Sequence, residues 1–286
     1  MRALIALSLV LLLTTANAEN HNNTLERVAE TGEFRIGFVP DAPPLSYRDG
    51  DGGAAGYSID LCRHIASAVR NELGLEKIDI TFTPLVSMED RLSAIENGDI
   101  DIECGASTVT LSRRERVDFT LMTFITGSAV LSRKSNPLGG IDALDGATIA
   151  VLSGTTTEDV MRQVIEVNEF EVELRLIDSH DEGMELLNSR KVTGYASDRA
   201  MLIGQVFRNA NAKNEYAMTR SPLSFEPYAM MLPRGDTEFR LLADRALASL
   251  FRSARIRRLY HNWFGRYGEP LSPIVEAMYQ FQAVGD

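Results

Sequence analysis

The sequence predicts an α/β protein in two lobes, on three observations. Strand-like and helix-like segments alternate, the alternation occurs in two successive runs, and 286 residues are enough for each run to bury its own core. Hydrophobic residues at 44% and charged residues at 24% are ordinary for a folded chain, which excludes intrinsic disorder and fibrous repeats. With 40 Asp and Glu against 29 Lys and Arg, the formal charge of −11 argues against nucleic acid or an anionic membrane as partner.

The chain opens as a secretory signal. Arg2 is positive, residues 3–13 are apolar, and Ala16-Asn17-Ala18 offers the small residues that a signal peptidase reads, so residues 1–18 are expected to be removed and the product exported. The apolar run falls short of the roughly 20 residues that span a bilayer. Two cysteines are too few for a disulfide scaffold or a Cys-rich zinc site. In an oxidising compartment Cys62 and Cys104 are expected to form a disulfide, with two buried thiols as the alternative.

Each element follows from local signals. Thr24 is placed to cap a short helix that Gly32 stops. Residues 34–39 read as a strand bounded by Pro40, Pro43 and Pro44. Ser46-Tyr47-Arg48 and the Gly-rich 49–56 read as a hairpin tip. Over 58–73, Ile59, Cys62, Ile65, Ala66 and Val69 recur at helical spacing. Residues 78–82 alternate as a strand, 90–96 form a helix ended by Gly98, and 100–104 form another strand. The second run repeats the plan: strand 148–152, helix 158–168, strand 172–177, helix 181–188, strand 193–196 and helix 200–206. A second lobe over about 147–214 follows, joined to the first by 123–131 and 225–232.

Hydrolase and nucleotide-binding readings start weak. Gly-x-Ser-x-Gly and phosphate-loop signatures are absent, and His21, His64, His180 and His261 are scattered without metal-ligand spacing. No metal or cofactor is expected. Two stretches stand out instead. Residues 103–120 run from a strand end at Gly105 through Ser107, Thr108 and Thr110 to Arg113 and Arg114. Leu152-Ser153-Gly154-Thr155-Thr156-Thr157-Glu158 is again strand, glycine, hydroxyls and helix start. Unpaired backbone N–H groups at such a start favour an anion, although Ser and Thr there also serve as ordinary caps. Two such loops, one per lobe, would form a cleft at the carboxyl ends of the strands, where open α/β sheets bind ligands.

Four blocks in this order, Gly56-Tyr57-Ser58-Ile59-Asp60, residues 103–120, Ser153-Gly154-Thr155-Thr156 and Trp263-Phe264, make the chain resemble the periplasmic solute-binding proteins for polar amino acids that serve ABC importers. Within that family it resembles the glutamate/aspartate-binding branch, over nearly all of the chain after the signal. The resemblance implies a type II periplasmic-binding-protein fold. Residues 19–124 and 226–286 would form lobe 1, residues 128–220 lobe 2, and hinges would lie near 124–128 and 220–226. The tail helices over 236–263 are assigned to lobe 1 on this ground alone.

The family's binding residues carry over by position. Arg113 matches the arginine that grips the ligand α-carboxylate, a role suited to a planar guanidinium. Thr108 and Thr156 match hydroxyl donors to that group, with Thr155 beside them. Asp198 matches the carboxylate that takes the ligand ammonium, and Ala106 a position whose carbonyl can accept from it. Arg91 and His180 match contacts to an acidic side chain. Val39 stands where the branch has an arginine, Met88 stands near a serine of its pocket, and Tyr47 is either a cover for the apolar part of the ligand or a packing aromatic. Cys104 matches a cysteine of the branch whose usual partner position here is Met230, which leaves Cys62 as its candidate partner.

What the resemblance implies is capture of glutamate, aspartate or another polar amino acid in the cleft and delivery to an ABC permease in the inner membrane, by a monomer working in the periplasm. The rival reading is an enzyme on the same fold, such as a cyclohexadienyl dehydratase. That reading needs an acid or base in place of part of the ammonium site, and Asp198 with Arg113 speaks against it.

Overall fold

The computed structural model describes residues 23–208 and 215–285, so the expected signal at 1–18 lies outside the described residues. Two five-stranded sheets carry the architecture. In the first, Asp79–Pro84, Glu33–Phe38, Ile102–Glu103, Met231–Leu232 and Asp118–Phe119 lie side by side. The first three are parallel, and Met231–Leu232 runs antiparallel to both its neighbours. The second sheet has the order Glu173–Ile177, Thr148–Leu152, Gly194–Asp198, Ser128–Arg133, Tyr216–Met218, and here Ser128–Arg133 is the antiparallel strand. Each sheet therefore takes one strand from the chain just after it has crossed from the other.

The crossing itself is built. Phe124–Thr126 pairs antiparallel with Glu226–Tyr228, Thr126 opposite Glu226 and Phe124 opposite Tyr228. Two short strands side by side give a connection narrow enough to bend while backbone hydrogen bonds stay satisfied.

The tail packs with the first sheet. Helices Thr237–Arg252, Ala254–Phe264 and Pro273–Gln282 bury Phe239, Leu247, Phe251, Tyr260, Phe264, Val275 and Tyr279 in the same core as Phe34, Ile36 and Phe38. Phe34 and Phe239 meet edge to face at 5.9 Å. The last of these helices was not expected, although Ser272 as its cap and Pro273 at its first position are standard start signals.

Local signals fail where a stronger competitor stands next door. Asn23, not Thr24, caps the first helix by accepting from the Glu26 N–H, and the Thr24 N–H goes to Asp236. The strand expected over 100–104 pairs only at Ile102–Glu103, since its partners meet it only there, at Ile36–Gly37 on one side and Met231 on the other. The helix expected from 158 begins at Thr156, because the Thr155 hydroxyl caps it.

Cys62 and Cys104 form a disulfide with Cα atoms 6.3 Å apart, inside the ordinary bridging range. It ties helix Tyr57–Glu72 to the residue that follows Ile102–Glu103. The loop that continues from Cys104 through Gly105 to Thr110 is thus anchored at its base. Among the described residues no helix is long and apolar enough to cross a membrane.

Candidate functional site

A cavity lies between the sheets at the carboxyl ends of their parallel strands. Val39, Arg91, Ala106, Thr108 and Arg113 line it from the first-sheet side, and Thr155, Thr156, His180 and Asp198 from the second. Ala42, Val86, Met88, Leu152, Thr157, Ala196, Ser197 and Met201 complete the wall. Tyr47 is not part of it. Strand Ser46–Arg48 turns successive side chains to opposite faces, so Ser46 points inward, where its hydroxyl accepts from the Val39 N–H, while Tyr47 stacks edge to face on Trp263 at 6.1 Å.

Arg113 belongs to the short helix Leu111–Arg114, started by Thr110, whose hydroxyl accepts the Arg113 N–H. The guanidinium is buried, and Nη1 donates to the Thr108 carbonyl at 2.8 Å, which fixes the plane of the group. Nε and Nη2 make no hydrogen bond among the described residues, so one edge of the fork is presented without a protein acceptor. Burial and then the nearby Arg91 charge lower its pKa to about 10, which leaves it cationic at neutral pH.

Asp198 ends strand Gly194–Asp198 on the opposite side. It is buried, and Tyr228, Ser128 and Thr157 all donate hydroxyl hydrogens to it. Burial, with the Glu226 carboxylate adding to it, lifts its pKa to about 7. A buried carboxylate held this way is short of positive charge, and a cation in the cavity would supply it.

The hydroxyls expected to serve a ligand have other partners. Thr155 donates to the Leu152 carbonyl at 2.7 Å and accepts from the Glu158 N–H, which is ordinary capping. Thr156 donates to Glu226 at 2.8 Å and lies 3.4 Å from the Thr108 hydroxyl across the cleft. Glu226 also accepts from Ser224, so this crossover residue ties the helix start at Thr156 to the returning chain.

The far end of the cavity holds Arg91 and His180. Arg91 projects from helix Met88–Glu96, fixed by a Ser87–Asp90 capping box, and its Nη1 lies 3.2 Å from the Ser107 hydroxyl and 3.6 Å from the Glu103 carboxylate. The His180 ring bonds Tyr195 through Nδ1, and burial holds its pKa below the ordinary histidine value. It therefore faces the cavity as a neutral group, a hydrogen-bonding partner without charge. Its backbone N–H donates to Asp41 at 2.8 Å, which joins the two sides of the molecule.

Sequence reasoning assigned no role to Glu103, Glu226, Tyr228, Ser128 or Asp41. Thr157 and Glu103 lay inside the singled-out stretches, but nothing local marks which way they point. The others lie 30 or more residues from the cavity-lining group they touch.

The family model of bacterial extracellular solute-binding proteins, family 3, matches residues 34–266. The L-glutamate/L-aspartate-binding protein of Pseudomonas aeruginosa is 29% identical over 269 residues, covering 94% of this chain and 87% of the relative. The glutamate/aspartate import solute-binding protein of Escherichia coli K12 is 26% identical over 264 residues, covering 92% and 87%. Among solved structures, an ancestral arginine-binding protein bound to glutamine superposes with a TM-score of 0.72 at 27% identity, over 82% of this chain and 98% of that one.

Proposed function

The chain belongs to family 3 of the bacterial extracellular solute-binding proteins, and from that membership we propose that it captures a polar amino acid, glutamate or aspartate first, between its lobes and hands it to an ABC permease. The observation that carries this reading is the placement of Arg113 and Asp198 in one cavity, from opposite sheets. A free amino acid has a carboxylate for the first and an ammonium for the second. Thr108 and Thr156 flank the carboxylate end, the Ala106 carbonyl serves the ammonium, and Arg91 and His180 meet the side chain, with Val39 against its apolar part. Thr155 acts by shaping the helix start at the cavity wall.

The lobes are residues 19–124 with 226–286, and 128–220, turning about the paired strands near 124–128 and 220–226. Ligand shifts such a hinge only through contacts that exist when the lobes meet, and the groups able to supply them are Thr156, His180 and Asp198. Export by the signal at 1–18 places the protein in the periplasm, where it works as a monomer and without chemistry on its cargo.

Titration calorimetry with a panel of amino acids tests this. Binding is expected for at least one polar amino acid, and Arg113→Ala should weaken it by about thirtyfold or more, since removing one partner of a buried charge pair costs roughly 2–5 kcal/mol. Absence of binding to every member of the panel would sink the proposal. Turnover of prephenate or arogenate would replace it with the enzyme reading.

A further inference from the structure

Glu103 is a second buried acid at the side-chain end of the cavity. It is fully buried, and a Cβ on Gly105 would run into its Oε1, so the carboxylate lies directly beneath the backbone that leads to Ala106. Ser107 donates to Oε2 at 2.7 Å. Oε1 has no hydrogen-bond partner among the described residues, and its nearest cation is Arg91 Nη1 at 3.6 Å. Arg91 is held from behind by the Ser87 carbonyl and toward Glu103 by Ser107, while its Nη2 makes no hydrogen bond among the described residues. One guanidinium thus stands between a buried carboxylate on one side and the cavity on the other.

We propose that Glu103 competes with a ligand side-chain carboxylate for Arg91, so that an acidic amino acid is bound together with one proton taken from solvent onto Glu103. The inference rests on the amino-acid-capture reading and adds what sets its side-chain preference. Two carboxylates facing one cation in a desolvated site cannot both stay ionised without large cost, and the pair sheds charge by taking a proton. The proton goes to Glu103, which is fully buried and holds a single hydrogen bond, from Ser107. Burial already raises its pKa above the usual carboxylate range. Of the other charged groups packed near it, Arg113 bears on it from helix Leu111–Arg114 and is committed to the ligand α-carboxylate, while Asp198 and Glu226 face Arg113 from across the cleft. His180 faces Arg91 from the second lobe and is the alternative proton acceptor. An amide side chain brings no charge and leaves Glu103 as it is.

The test is calorimetric titration with L-glutamate and L-glutamine between pH 5 and 9, each in two buffers of different ionisation enthalpy, which counts protons exchanged per ligand. Asp198 contributes equally with either ligand and drops out of the difference. Glutamate is expected to take up close to one proton more than glutamine over part of the range. There its affinity should fall about tenfold per pH unit relative to glutamine. Glu103→Gln, which keeps the side-chain volume, should abolish the extra uptake, and His180→Gln should retain it. No extra uptake at any pH in the unaltered protein overturns the proposal without any variant. So does uptake that survives Glu103→Gln and vanishes in His180→Gln, and so does binding of neutral amino acids alone by both the unaltered protein and Glu103→Gln. Failure to bind any amino acid is distinct from these, since it removes the capture reading itself.

Discussion

Asp198 shows how one residue reports on the whole site. Its pKa of about 7, against an ordinary 3.8, means that the protonated form is favoured in the folded protein below pH 7 and the carboxylate above it. A ligand ammonium needs the ionised form, so binding below pH 7 must displace a proton, and affinity must rise with pH until Asp198 is ionised beforehand. For a neutral amino acid, affinity is therefore expected to climb by up to about tenfold per pH unit from pH 5 and to level off near pH 7. Calorimetry at four or five pH values reads this directly, and a flat profile would mean that the ammonium sits elsewhere. Arg113 stood in a singled-out stretch, whereas Asp198 was reached only through the resemblance. Glu103 and Glu226 were not legible, because acids are common and only their burial beside other charges sets them apart.

At the scale of elements, the helix starts beside the cavity are fixed by their caps: Ser87, Thr110, Thr155 and Ser179 each accept a backbone N–H of the first turn. Those signals lie within a few residues of one another and are readable along the chain. The bridge between Cys62 and Cys104 is different in kind, since it spans 42 residues and links a helix to a strand end. For a loop of that size the chain-entropy model assigns up to about 4 kcal/mol of stability. The double change Cys62→Ser and Cys104→Ser is expected to lower the urea midpoint by a corresponding amount, most of it reproduced by reducing the unaltered protein. An unchanged midpoint would show that packing alone holds helix Tyr57–Glu72 in place.

For the whole molecule, the decisive contacts are those that join the lobes. The Asp41 carboxylate accepts the His180 N–H, the Asp41 carbonyl accepts Gln205 Nε2 at 2.6 Å, and Gly204 lies so near Pro43 that a Cβ there would run into the Pro43 carbonyl. Gly204 lies away from the cavity wall, on helix Arg199–Arg208, so it bears on how near the lobes can come rather than on the ligand. Gly204→Val is expected to hold the lobes apart. Ligand affinity should drop at least tenfold, and small-angle scattering with saturating ligand should give a larger radius of gyration than for the unaltered protein. Unchanged affinity and scattering would show that this contact is not needed for closure.

The sequence by itself determined the α/β alternation, most helix starts, the two hydroxyl-rich loops and, through resemblance, the arginine and aspartate that face each other. These depend on neighbours within a turn or a strand, where backbone hydrogen bonding and side-chain periodicity act. Only the tertiary structure decided that Tyr47 turns away from the cavity, that Thr155 and Thr156 already have hydrogen-bond partners, and that Glu103 lies buried against Arg91. Those outcomes depend on which groups lose water together when distant segments pack. Desolvation is a property of the assembled interior, and no local stretch of sequence carries it.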